Sequence, residues 1–90
     1  MFRLWVKLVD DSAHMLKDIT IENSDPELNR TRKVFNGLEE ACYKLDLSVP
    51  IWLDLNANDF RKHSKTRFTQ DNFTESIDFH YMEIQVIEED

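Results

Sequence analysis

Residues 2–9, Phe-Arg-Leu-Trp-Val-Lys-Leu-Val, alternate along the chain with a period of two. That period places Phe2, Leu4, Val6 and Leu8 on one side and Arg3, Trp5, Lys7 and Val9 on the other, a pattern that suits a half-buried strand. No other feature constrains the fold as tightly, because a strand with one apolar side needs both neighbours and a cover. Asp10 to His14 then supply turn residues. Residues 15–22 resume as a second strand, with Met15, Ile19 and Ile21 in phase around Lys17. The economical reading of residues 2–22 is a β-hairpin.

The period then changes. Leu28, Thr31, Phe35, Leu38, Cys42 and Leu45 step by three and four, and Val34 and Ala41 widen the stripe, so one long helix is predicted. Asp25 before Pro26 suggests the cap, and Ser24 with Glu27 offers a capping box instead. Gly37 is the only glycine of the chain and falls mid-helix, where it costs about 1 kcal/mol against alanine. Close packing against a strand would account for it. After Pro50, residues 51–55 read as a short strand and 58–66 as a short helix. Residues 67–79 read as irregular or partly helical. The last strand begins at His80, with Met82, Ile84 and Val86 inward and Tyr81, Glu83, Gln85 and Ile87 outward.

This order, ββαβ(α)β, predicts a single α+β domain over residues 1–90, with a mixed sheet and one long helix packed on one face. It resembles the β-grasp architecture of ubiquitin-like domains, in which the last strand lies parallel beside the first. The ending Ile87-Glu88-Glu89-Asp90 lacks the Gly-Gly that conjugated members use, so the resemblance implies an architecture and not a conjugation role. Ninety residues, 41% of them apolar, suffice for one core but not for a deep, many-layered active site.

Charge and cysteine content narrow the function. A single cysteine, Cys42, excludes an internal disulfide and fits a reducing compartment. The first residues lack a long apolar run, which argues against a signal peptide or membrane span and for a cytoplasmic protein. The net charge of −7 disfavours general nucleic-acid binding, which needs a positive surface. The charge is also unevenly placed. Residues 61–67 carry four Lys/Arg, one His and no acid, whereas residues 71–90 carry seven acids and no Lys or Arg.

Asp54, Asn56 and Asn58 match the first three ligand positions of an EF-hand loop. Asp59 and Lys65 stand where that loop needs its glycine and its bidentate glutamate, so no metal is expected. Asn58 instead reads as a helix cap, the following cations as favourable at a helix C-terminus, and Phe60 and Phe68 as core anchors. His14, His63 and His80 show no metal-ligand spacing, and Cys42 on the apolar stripe reads as a small buried hydrophobe. With no nucleophile elbow and no phosphate loop, neither an enzyme nor a cofactor is expected. The expected role is a non-catalytic protein–protein interaction module. Arg61, Lys62, His63, Lys65 and Arg67 would meet an acidic surface on a protein partner. Trp5 and Tyr81 would serve as apolar anchors on the outer sheet face, a surface that also offers self-association. The alternative is an acidic nucleic-acid mimic, in which the acids of 71–90 imitate phosphates and block a DNA- or RNA-binding protein.

The segments VFNGLEEACYKLDL, PIWLDLNANDF, KTRFTQDNF and IDFHYMEIQVIEED resemble a family of small uncharacterised proteins of clostridial bacteria, over most of the chain. The resemblance implies no particular activity. Similar sequences are expected to hold an acid where this chain has His80, which weakens a ligand role for that histidine.

Overall fold

The computed structural model describes residues 1–89. It contains strand β1 (Phe2–Val9), strand β2 (Met15–Asn23), helix α1 (Arg30–Lys44), helix α2 (Asp54–His63), strand β3 (Lys65–Phe68), a 3-10 turn (Gln70–Asn72) and strand β4 (Tyr81–Glu88). The strands form one sheet in the order β2-β1-β4-β3, and every pairing is antiparallel. The α+β class holds. The sheet is not mixed, however, and two helices cover it rather than one, so the parallel first-and-last pairing of a β-grasp fold is absent. The reason lies in residues 51–55, which do not enter the sheet. Residues 65–68 enter it instead, paired with β4, and the chain reaches β4 at the end where β1 finishes. There the His80 amide donates to the Val9 carbonyl (2.8 Å), and β4 must run back along β1.

The hairpin forms as its alternation requires. Asp10 closes it, its carboxylate accepting from the amides of Ser12 and His14 (2.9 Å each). These two bonds, the one from the His14 amide above all, hold that carboxyl below its usual range against the opposing effect of desolvation. Helix α1 starts later than predicted. Asn23 and Asp25 spend their side chains on the amides two residues ahead, which fixes turns rather than a helix. Asn29 is the true cap, accepting from the Arg32 amide (2.9 Å).

Val34, Leu38, Ala41 and Cys42 of α1 are buried against Leu4, Val6, Ile84 and Met82 of the sheet. Gly37 sits where helix and sheet come closest. A Cβ there would lie 3.0 Å from Leu4 Cδ2 and 3.7 Å from Ile21 Cγ2. The close approach inferred from sequence is the observed reason for the only glycine. Phe35, by contrast, leaves the core and stands half-exposed against the edge of Trp52, their centroids 5.5 Å apart.

Helix α2 covers β3, with Phe60 and Phe68 both buried as anchors. Trp52 meets the rings of Phe60 and Phe68 edge-on at 5.6 and 5.2 Å. Its helix is not capped by Asn58. Asn56, two residues earlier, accepts from the Leu53 amide (3.0 Å) and donates to Thr66 Oγ1 and the Arg67 carbonyl (3.0 and 2.9 Å). It also accepts from Asn72 Nδ2 (2.8 Å). Asn72 closes the clasp by donating to the Ile51 carbonyl (2.8 Å) while its own carbonyl accepts from the Ile51 amide (2.7 Å). These bonds explain why 51–55 is no strand: the Ile51 backbone is bound to Asn72, and the chain turns into α2 immediately afterwards. Among the residues of the suspected metal loop, Asn56 therefore points inward and is fully engaged.

Candidate functional site

Both helices lie on one side of the sheet, leaving the other side open. Across it runs a rung of alternating charge, set by register: Asp18 opposite Lys7, Lys7 opposite Glu83, Glu83 opposite Arg67. Lys7 Nζ lies 3.1 Å and Arg67 Nε 2.9 Å from the Glu83 carboxylate, whose side chain is only 7% exposed although nothing but its neighbours covers it. Burial by itself would raise that carboxyl. The hydrogen bonds and charges of Arg67 and Lys7 outweigh it and hold Glu83 below its usual range, and the same pairing raises Arg67 above its own.

Trp5 and Tyr81 do stand on this open face. Neither ring is free, though. Trp5 donates its indole N–H to Asp18 (2.9 Å) and lies under Lys7 Nζ at 4.3 Å. Tyr81 lies under the Arg67 guanidinium at 4.4 Å. A rung of ion pairs separates the two rings, so they form two capped spots rather than one aromatic patch.

The basic run is divided as well. Arg61, Lys62 and His63 occupy the last turn of α2, Ser64 turns the chain at φ 57°, and Lys65 and Arg67 project from β3. In β3 the alternating side chains Thr66 and Phe68 are buried, which puts Lys65 and Arg67 on the open side, away from the helix. The five residues thus do not share one face. Arg67 is committed to Glu83, and Arg61 bonds Asn58. Arg30 of α1 reaches the same corner, donating to Ser64 Oγ (2.9 Å) and pairing with Glu89.

A different surface has the unpartnered character of a binding face. The chain leaving α1 turns at Asp46 (φ 59°) and doubles back beneath the helix end. Three adjoining hollows open there, all lined by Leu47 and Ser48. Adjoining one another through these two residues, they are taken together as the groove around the C-terminus of α1. One arm runs between Tyr43, Glu39, Glu40 and Val49. The other deepens to a cleft of about 420 Å3 with an apolar floor of Leu8, Leu45, Phe73, Ile77 and Phe79, rimmed by Glu75, Asp78 and Lys17. Tyr43 is 85% exposed at the bend. Val49 stands exposed beside it. Aromatics at the mouth of an apolar hollow are the usual material of binding hot spots.

Sequence reasoning passed over this groove. Tyr43 was legible as an aromatic just off the buried stripe of Leu38, Cys42 and Leu45, which is the one signal that marked it. The remaining chemistry is quiet. Burial raises the Cys42 thiol to about 11, so it stays protonated at neutral pH and is a poor nucleophile. His80 lies just outside β4 rather than on its inward side, 3.1 Å from Asp11, and His14 is 3.8 Å from Asp10. Among the described residues no group of three or more His, Cys, Asp or Glu is placed to hold a metal ion, and no helix is long and apolar enough to cross a membrane. Compared with known proteins, the chain matches no family model, no curated protein and no solved structure.

Proposed function

We propose that the chain is a non-catalytic protein-binding domain whose binding face is the groove around the C-terminus of α1. The observation that carries this reading is Tyr43, almost wholly exposed beside Leu47, Val49 and an apolar cleft. A large apolar surface of this kind costs free energy in water and marks an interaction site when it is contiguous. The nucleophile that the sequence offers, Cys42, is buried and protonated, which supports a binding rather than a catalytic role.

The basic turn supports a second reading, in which an acidic protein surface docks on Lys62, His63 and Lys65. These three are exposed and make no ion pair among the described residues. Nucleic-acid mimicry has less support. Of the acids it would use, Glu83 is enclosed by Lys7 and Arg67, Glu88 pairs with Arg3 and the N-terminus, and Glu89 pairs with Arg30.

Co-purification from the native host with tagged protein separates the two faces. A partner held by the wild type and by Lys62→Glu/Lys65→Glu, but lost from Tyr43→Asp/Val49→Asp, is the expected result. The opposite pattern would transfer the site to the basic turn.

A further inference from the structure

The groove carries charge as well as apolar surface, and the two together specify an occupant. Five carboxylates line it (Glu39, Glu40, Asp46, Glu75 and Asp78), against two ammonium groups, Lys17 and Lys44, which leaves three net negative charges. Lys44 is already bound to Glu40 at 3.0 Å. The other four carboxylates make no ion pair among the described residues, in contrast to Glu83, Glu88 and Glu89 elsewhere. The C-terminal end of α1 points into the same place and adds the negative pole of the helix dipole.

We infer that the groove receives a segment of a protein partner that combines apolar side chains with lysine or arginine. Its apolar residues would fill the cleft over Phe73 and Ile77, and its cations would meet Asp46, Glu75 and Asp78. An acidic or uncharged apolar segment would leave these carboxylates beside low-polarity surface with no counter-charge, which disfavours it by the usual rule of electrostatic complementarity. The cleft between Leu45, Phe73, Ile77 and Phe79, of about 420 Å3, has room for a few side chains, which suits a short segment rather than a flat protein face. This inference rests on the groove being the protein-binding face.

The test is titration of the full chain, labelled for NMR, with a synthetic peptide of about twelve residues that mixes leucine and lysine. One control peptide has glutamate for every lysine, and a second has serine for every leucine. Saturable shifts centred on Leu47, Ser48 and Glu75 are expected with the leucine–lysine peptide, and binding at least about tenfold weaker with either control. Glu75→Gln/Asp78→Asn, both on an exposed rim, should weaken the first peptide by about threefold to tenfold without altering the fold.

Equal binding of the lysine and glutamate peptides would overturn the inference. So would shifts centred on Asp18 and Glu22 of β2, or wild-type affinity in the double variant. If the Tyr43 variant still loses a native partner in that event, the groove binds protein by apolar contact alone and only the charge assignment falls. If co-purification is indifferent to Tyr43 as well, the groove itself is the wrong face.

Discussion

The open side of the sheet and the groove around the end of α1 are both polar-rimmed, aromatic-bearing surfaces, yet they differ in what their side chains already hold. On the sheet, Glu83 has Lys7 and Arg67, Trp5 has Asp18 and Lys7, and Tyr81 has Arg67. In the groove, Glu39, Asp46, Glu75 and Asp78 have no ion-pair partner among the described residues, and the Tyr43 ring stands in water. Exposure of a face is therefore a poor guide to its availability. On the sheet face a ligand would first have to break these ion pairs and ring contacts.

The comparison breaks most readily at Glu83. Glu83→Ala leaves Lys7 and Arg67 facing each other unpaired. It should cost about 2 kcal/mol, less than the roughly 3–5 typical of a fully buried pair because Arg67 keeps contact with water. Glu39→Ala in the groove should leave the urea midpoint where it was. Equal midpoints for the two variants would erase the distinction.

Acid sharpens the same contrast. The Glu83 carboxyl lies below its usual range in the folded state, so its stabilisation is fully present above the unfolded value of about 4.3 and is lost as pH falls through the lower, folded value. Urea midpoints between neutral and acidic pH should decline over that window, and Glu83→Gln should show a shallower decline. A parallel decline in both would assign the acid sensitivity to other carboxylates.

A smaller effect is expected at Trp5. Trp5→Phe removes one hydrogen bond to a carboxylate and weakens a cation–π contact, for a loss of about 1 kcal/mol. Smallest for stability, and largest for binding, is Tyr43→Ser. Its thermal midpoint should match the wild type while co-purification of a partner is lost; a lowered midpoint would mean that the ring supports the fold instead.

How much of this could be read from the chain differs by region, for physical reasons. The hairpin was legible because a period of two admits only one pair of faces, and Gly37 because a helix tolerates glycine mainly where something presses against it. The start of α1 was misplaced because Asp25 and Asn29 are both good caps, and only the turn bonds of Asn23 and Asp25 decide between them. The 51–68 region was misread for a subtler reason. Asn56 and Asn72 are sixteen residues apart, and no local pattern announces that two asparagines will bind each other in the interior. Their clasp withdrew 51–55 from the sheet, shifted the helix to Asp54–His63 and released 65–68 to become a strand. That last change split the basic run. The groove was invisible because it is assembled from residues 8, 16–17, 36–49 and 73–79, which only the folded chain brings together.

The two tryptophans, finally, stand in unlike surroundings, and each is a natural optical reporter. Trp52 sits among the rings of Phe35, Phe60 and Phe68 with its indole N–H unmatched by any acceptor among the described residues. Trp5 lies half in water between a carboxylate and an ammonium group. The first should emit at shorter wavelength than the second. Trp5→Phe would leave Trp52 as the single tryptophan, touching α1 through Phe35, so that its emission reports on the packing of that helix without any label being attached.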